Sequence, residues 1–129
     1  MSFEDKKYTV IRNIISKEVC EFISDYLRMK RNAARTLYNR NWFPNGSVSE
    51  WGEFGDGQVE QAWCIYSEIA TEVLLSRCIP IMEKELKIKL APNYSYTRIY
   101  MKGAELIPHI DRKACEFSTT LNLGGDLWP

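Results

Sequence analysis

The hydrophobic pattern of the chain changes period at Pro92, and this change limits the possible folds more than any other feature. Before Pro92, apolar residues recur at intervals of three and four, which is typical of amphipathic helices. After it, residues 94–100 alternate with a period of two, so one face of a strand would present Tyr94, Tyr96, Arg98 and Tyr100. A chain of 129 residues is long enough for one domain and too short for two. We therefore predict a single α+β domain, mainly helical over residues 1–90 and passing into a sheet over residues 91–129.

The N-terminal part of the helical region predicts a strand followed by a helix. The β-branched residues in 8–15 indicate an edge strand, and Ser16 is suited to cap a helix over residues 17–31. The basic residues in 28–35 would form the solvated end of that helix, where cations favour the helix dipole. Its apolar face would consist of Val19, Phe22, Ile23, Tyr26 and Leu27.

A loop and two further helices are predicted between this helix and Pro92. Residues 39–57 are dense in Gly, Pro and Asn, which favours a loop. The aromatic residues of this loop are either packing anchors or substrate contacts: Trp42, Phe43, Trp51 and Phe54. The next helix would have a spine of Ala62, Ile65, Ile69, Val73 and Leu74. Pro80 is expected near the start of the last helix, over residues 81–86.

Composition argues against nucleic-acid and membrane partners. Seventeen basic and seventeen acidic residues give a net charge of zero, without the broad positive field that binds nucleic acid. No run of eighteen apolar residues occurs, and residues 1–7 lack the order of a secretory signal. The cysteines are scattered without a Cys-x-x-Cys pair, so we expect reduced core thiols and a cytoplasmic location: Cys20, Cys64, Cys78 and Cys115.

The single histidine of the chain lies in the second of three predicted strands. A turn at residues 102–105 leads to strands over residues 106–111 and 117–123. On a strand, His109 and Asp111 point to the same side, with Cα atoms roughly 6.6–7 Å apart. Together they could occupy two adjacent positions on a metal ion, and iron(II) accepts such a mixture of nitrogen and oxygen ligands. The alternative is an ordinary hydrogen-bonded pair.

The motifs around this pair resemble those of a known enzyme family. Arg-Ile-Tyr-Met-Lys-Gly at 98–103 is followed by His-Ile-Asp-Arg at 109–112, then by Ser-Thr-Thr-Leu-Asn-Leu-Gly at 118–124 and Gly-Asp-Leu-Trp-Pro at 125–129. This series is similar to the iron(II)- and 2-oxoglutarate-dependent oxygenases, in particular to their prolyl-4-hydroxylase-like branch. The resemblance is strongest over residues 92–129. It implies a double-stranded β-helix, that is, a jelly-roll or cupin-like sheet, supported by the N-terminal helices and incomplete at its C-terminal end.

The resemblance also implies roles for individual residues. His109 and Asp111 match the first two iron ligands, and Tyr100 matches a tyrosine that hydrogen-bonds the distal carboxylate of 2-oxoglutarate. Ser118 and Thr120, together with Asn122, share one face of the third predicted strand, so all of them would line the same cavity or all would miss it. Arg112 would point to the opposite face, in a structural or substrate-facing role. The implied reaction is hydroxylation of a C–H bond in a small molecule or in a peptidyl or amino-acid side chain.

Two parts of the family pattern are absent from the sequence. No second histidine follows His109, and no Lys or Arg follows Lys113 to pair with 2-oxoglutarate. Neither Asp126 nor Cys115 has a spacing that recommends it as third ligand. We therefore expect a truncated chain that is inactive as it stands and has an open sheet edge at which copies associate. The alternatives are a non-catalytic binding module, an inert fragment, or a cupin-like metal protein with different chemistry.

Overall fold

The structure is a computed structural model that describes residues 3–42 and 50–125. Within these residues the chain forms three helices and one antiparallel three-stranded sheet, so the predicted α+β class is confirmed. The elements are α1 (Phe3–Lys6), α2 (Lys17–Asn39), β1 (Glu53–Phe54), β2 (Ala62–Tyr66), α3 (Ile69–Leu86) and β3 (Tyr96–Tyr100). In this described part, no helix is both long and apolar enough to cross a membrane.

Helix α2 begins at Lys17, as the sequence predicts, but it ends at Asn39, eight residues beyond the predicted end at residue 31. Ser16 caps it, because its Oγ accepts a hydrogen bond from the backbone N–H of Val19 at 3.3 Å. The basic residues in 28–35 therefore lie inside the helix rather than at its end, since Arg, Lys and Ala all favour helical conformation. The buried stripe contains Leu27 and Ala34, whereas Phe22, predicted to be apolar core, is 71% exposed.

Strand β2 occupies a stretch that the sequence pattern assigns to a helix. Ala62 and Ile65 belong to this strand, which pairs with β1 on one side and with β3 on the other. Its first four residues are all buried, because the sheet is covered on both faces here. A short apolar run without alternation does not distinguish a strand from a helix, which explains the wrong prediction.

Helix α3 is continuous from Ile69 to Leu86 and passes through Pro80. The predicted interruption is therefore wrong. Pro80 and Ser76, the residue whose carbonyl loses its helical partner, are both exposed, so water can satisfy that carbonyl. The buried stripe of α3 is Thr71, Leu74 and Cys78; of the predicted spine, Ile69 and Val73 are exposed.

The sheet has two covered faces, and β3 contributes to both. On one face, Ile99 packs with Leu27 of α2 and Trp63 of β2. On the other, Tyr100 packs against Val59, Ala62 and Cys64. The predicted alternation of β3 is thus confirmed, and it places Tyr100 on the face away from the helices.

Neither of the two strands predicted after β3 appears, and neither does the strand predicted over residues 8–15. The turn after β3 is present, with the Ala104 N–H donating to the Met101 carbonyl at 2.9 Å, but residues 104–125 contain no strand. An extended segment becomes a strand only when a neighbour pairs with it, and the described residues supply no further strand beside β3. In the N-terminal stretch, Asn13 adopts a φ of 56°, which interrupts an extended backbone.

Gly52 is expected to be the glycine least tolerant of substitution. It is buried with φ +80°, and an added Cβ would lie 2.6 Å from the Cys64 carbonyl oxygen and 2.8 Å from the Trp63 ring. We expect Gly52→Ala to lower the free energy of unfolding by about 2–4 kcal/mol, through backbone strain and overpacking. Urea denaturation followed by circular dichroism measures this. Gly57→Ala is the control, because nothing lies within 4 Å of its added Cβ; equal losses in the two variants would contradict the expectation.

Candidate functional site

The segment that contains His109 crosses the sheet face opposite the helices. On one side of His109, Ala104 and Leu106 pack against the cluster of Val59, Ala62 and Cys64. On the other side, the guanidinium of Arg112 lies 4.5 Å from the ring centroid of Tyr94 and 5.9 Å from that of Tyr66. The His109 segment is therefore fastened to the sheet by apolar packing before the histidine and by cation–π contacts after it.

His109 and Asp111 come together on this segment. The Nε2 atom of His109 lies 3.3 Å from Oδ1 of Asp111, and the two side chains are 31% and 47% exposed. Ile110 between them is 97% exposed, so the imidazole and the carboxylate approach each other while the intervening side chain points to solvent. This side-chain alternation is present although the segment is not part of a sheet.

The tautomer of His109 restricts what the pair can do. Nδ1 lies 3.0 Å from the Ile107 carbonyl oxygen, and this contact is favourable when Nδ1 donates its proton. The second nitrogen of a neutral ring would then direct its lone pair at the Asp111 carboxylate. Such a contact is favourable only when Nε2 binds a proton or a cation. The geometry therefore suits either an imidazolium–carboxylate pair or a shared metal ion.

Ser118 orients the carboxylate from the other side. Its Oγ donates a hydrogen bond of 2.7 Å to Oδ2 of Asp111, which leaves Oδ1 directed at His109. Thr120 is exposed, and Asn122 accepts a hydrogen bond from its own neighbour Gly124. Of the three residues predicted to share one face, only Ser118 is joined to this pair in the described part of the chain, because without a strand their side chains do not keep a common direction.

Tyr100 lies on the same sheet face as the His109 segment. Its ring is half-buried against Val59 and Cys64. Arg98, two residues earlier, also lies on this face, and burial, which lowers its pKa, is outweighed by hydrogen bonds with Asp56 and Tyr100 that raise the pKa of the guanidinium. The Tyr100 hydroxyl is thus accompanied by a cation, but that cation is bound to an internal carboxylate.

The separation of His109 and Asp111 is compatible with two adjacent ligands of one metal ion. Ligands bound at about 2.1 Å and at right angles lie about 3 Å apart, close to the observed separation. No group of three His, Cys, Asp or Glu side chains able to bind a metal occurs in residues 3–42 and 50–125. Cys115 instead contacts the Tyr94 hydroxyl at 3.6 Å, and Asp126 lies outside the described residues. The donor set therefore fits a metal through two ligands and is incomplete as a three-ligand site.

Sequence reasoning missed a buried ionic cluster centred on Asp56. The Asp56 carboxylate accepts hydrogen bonds from the Tyr96 hydroxyl, from Nε and Nη2 of Arg98, and from two backbone N–H groups, at 2.6–3.1 Å. Burial alone would raise its pKa, but these hydrogen bonds lower the pKa of Asp56 well below 3.8. Asp56 follows a glycine-rich turn and Arg98 alternates with tyrosines, yet nothing in the sequence indicates that they meet across 42 residues.

The thiol of Cys64 lies beside this cluster and is not reactive. Burial and the charge of Asp56 raise its pKa to about 11, so it remains protonated at neutral pH. It is fully buried in the sheet, and the described cysteines form no disulfide. The expectation of a reduced core thiol is confirmed for Cys64.

A second buried ion pair joins α2 to the start of α3. The Glu68 carboxylate bonds Nζ of Lys30, the Tyr26 hydroxyl at 2.6 Å and the Ala70 N–H at 3.3 Å. Burial opposes the charge of Glu68, but the hydrogen bond from Lys30 outweighs it and lowers the pKa of the carboxyl. The sequence gives one hint of this pair, because Lys30 lies three residues after Leu27 on the inward side of α2.

Comparison of the chain with protein-family models, with curated proteins and with solved structures finds no match.

Proposed function

We propose that the chain is part of an iron(II)- and 2-oxoglutarate-dependent oxygenase that hydroxylates a C–H bond of a small molecule or peptide. The observation that supports this most is the 3.3 Å approach of His109 Nε2 to Asp111 Oδ1 on a segment that crosses the sheet face bearing Tyr100. The motifs at 98–103, 109–112 and 118–124 support the same proposal, since they resemble that family.

In this proposal each residue of the site has one role. His109 and Asp111 bind the iron, the Ile107 carbonyl keeps the imidazole in the tautomer that frees Nε2, and Ser118 aims the carboxylate. Tyr100 donates a hydrogen bond to the distal carboxylate of 2-oxoglutarate, and Thr120 lines the same cavity. When bound, the iron would supply activation of dioxygen, coupled to oxidation of the keto acid.

The proposed fold is the opening part of a double-stranded β-helix. The support is that β3 has one edge paired with β2 and the other without a strand partner among the described residues. Residues 104–125 pair with no strand of the described structure, although Ala104 and Leu106 pack against the sheet. Further strands added at that edge would pair with β3, enclose the face that bears Tyr100 and exclude water from the metal.

Titration of the chain with iron(II) and 2-oxoglutarate under anaerobic conditions tests the proposed site. We expect weak binding, because two protein ligands without a third confer only part of the usual affinity. His109→Ala and Asp111→Asn should each abolish the metal-to-ligand absorption band. Calorimetry with iron(II) alone provides a second readout that does not depend on turnover.

Asp25→Asn is the matched control, because Asp25 is an exposed carboxylate on α2. It should leave the band unchanged. Iron(II) binding that survives both His109→Ala and Asp111→Asn would disprove the assignment of these ligands. A strong band with steady succinate release from the unmodified chain would instead contradict the expectation of an incomplete site.

Ser118→Ala is expected to weaken iron(II) binding without removing a ligand. Loss of the 2.7 Å hydrogen bond to Asp111 frees the carboxylate to rotate, and loss of such outer contacts typically lowers metal affinity about 10–100-fold. Calorimetric titration measures the affinity. Ser76→Ala, an exposed serine on α3, is the control and should bind as the original chain does. Unchanged affinity in Ser118→Ala would show that Ser118 does not orient the ligand.

A non-catalytic binding module is the second candidate. It is favoured by the absence of a three-residue metal group in the described residues and by the open edge of β3. An unpaired strand edge can accept an extended peptide or a second copy of the chain through backbone hydrogen bonds. The iron titration separates the candidates, because a module of this kind predicts concentration-dependent association in sedimentation velocity and no response to iron(II).

A further inference from the structure

A groove on the helical side of the molecule is surrounded by cations that have no acidic partner. Its volume is about 330 Å³, and its lining includes Arg31 and Arg35 from α2, Lys102 from the turn after β3, and Glu60. Arg31, Arg35 and Lys102 form no ion pair within the described residues. Three positive side chains and one negative one give the groove a net charge of plus two.

Arg31 is the one half-buried residue among these three cations, and its hydrogen bonds are long. Arg31 is half-buried, yet its acceptors are Asn32 Oδ1 at 3.4 Å from both Nε and Nη2, and the sulfur of Met101 at 3.5 Å from Nη1. These are long contacts with neutral atoms, whereas buried charges are normally paired with an opposite charge. An anion that reached this guanidinium could therefore form shorter and stronger hydrogen bonds than these neutral acceptors do.

Arg35 lies beside Arg31 and adds a second cation to the groove. It lies four residues after Arg31, one helical turn away, an arrangement of like charges that destabilises a helix. The Arg35 guanidinium lies 4.3 Å from the ring centroid of Phe54, which fixes its plane at the groove wall. Two such forks on one wall and a lysine on another can bond several oxygen atoms of one anion at once.

We propose that this groove binds a small phosphate-bearing molecule with two to three negative charges. Arg31 and Arg35 would bond the phosphate oxygens in bidentate fashion, and Lys102 would supply the third positive charge. The site is separate from the proposed iron site, because Trp63 and Met101 place the groove on the helical side of the sheet, whereas His109 crosses the opposite face. Phosphate binding in this groove therefore does not depend on whether the chain binds iron.

Calorimetric titration of the chain with inorganic pyrophosphate at low ionic strength tests the proposal. We expect saturable binding to one site, weakened at least tenfold by Arg31→Gln and by Arg35→Gln and less strongly by Lys102→Gln. Lys89→Gln is the control, because Lys89 is a nearly fully exposed lysine outside the groove. Raising the salt concentration to about 1 M should weaken binding through screening.

Glu60→Gln distinguishes loss of a binding residue from loss of folding. Removing the one acidic side chain of the groove should strengthen pyrophosphate binding about threefold to fivefold, a gain that loss of structure cannot produce. His109→Ala should bind pyrophosphate unchanged. Absence of saturable binding, equal weakening by Lys89→Gln, or weaker binding by Glu60→Gln would each overturn the proposal. Succinate that binds as tightly as pyrophosphate would overturn the assignment to phosphate.

Discussion

Replacement of Lys30 by methionine is expected to lower the free energy of unfolding by about 3–5 kcal/mol, because it leaves a buried carboxylate without its cation. Glu68 is only 4% exposed, and Lys30 is the one cation that bonds it in the described structure. Methionine has a similar length and packs well, so little of the loss would come from a cavity. Urea denaturation at pH 7 measures the effect.

Lys17→Met is the matched control for this experiment. Lys17 forms an ion pair with Glu21 on the same helix, at 3.8 Å, but both side chains are largely exposed. Exposed pairs of this spacing contribute about 0.3–0.5 kcal/mol. A loss in Lys17→Met as large as that in Lys30→Met would refute the importance assigned to burial.

The pH dependence of Lys30→Met provides a second check. Without Lys30, burial still disfavours the charged form of Glu68 and the strongest of the interactions that lower its pKa is lost, so the folded-state pKa of Glu68 rises. A group with a raised folded pKa destabilises the fold least at low pH, so the gap between the two proteins should narrow as the pH falls towards about 4. Adding Glu68→Gln should recover part of the loss at pH 7.

Asp56→Ala is also expected to lower the free energy of unfolding by about 3–5 kcal/mol, because it leaves the buried guanidinium of Arg98 without its carboxylate. The side chains of Arg98 and Asp56 are 13% and 10% exposed, and Oδ2 of Asp56 accepts two hydrogen bonds from that guanidinium. The substitution also removes the acceptor of the Tyr96 hydroxyl and of the Val59 N–H. Asp25→Ala, at an exposed position on α2, should change stability by less than about 0.5 kcal/mol.

Asp56 should also make the protein sensitive to acid. Its folded pKa lies below the usual 3.8, so its stabilising contribution is complete above pH 3.8 and disappears as the pH falls further, through the folded pKa. Thermal denaturation between pH 5 and pH 2 should therefore show a decline in melting temperature that is shallower in Asp56→Asn. A decline of identical steepness in both proteins would show that other carboxylates cause it.

The sequence predicts the parts of this fold that depend on local chemistry. The cap at Ser16, the alternation of residues 96–100 and the turn at Gly103 were predicted correctly, because each depends on a few neighbouring residues. Strand β2 was missed because burial on both faces removes its alternation, and the end of α2 because helix propensity continues through the basic residues.

The candidate site shows the same division between local and distant information. The approach of His109 to Asp111 joins residues two positions apart, and the sequence predicts it from that spacing. By contrast, the clusters of Asp56 with Arg98 and of Glu68 with Lys30 join residues 42 and 38 positions apart, and no periodic pattern encodes such a meeting. The separation of Thr120 and Asn122 from Ser118 arises because no strand fixes their common direction.

The His109 segment is attached to the rest of the protein mainly by side-chain contacts rather than by backbone hydrogen bonds. Within the described residues, the backbone–backbone hydrogen bonds of residues 102–125 are two local turns, and side chains such as Leu106 and Arg112 attach the segment to the sheet. It can therefore detach in a sub-global opening that leaves the paired strands and long helices intact. A ligand that contacted both His109 and Tyr100 of β3 would bind only the attached population, so its apparent affinity would be the intrinsic affinity scaled by that fraction. Strengthening the cation–π contacts of Arg112 with Tyr94 and Tyr66 would then raise the apparent affinity for such a ligand, without altering any coordinating atom.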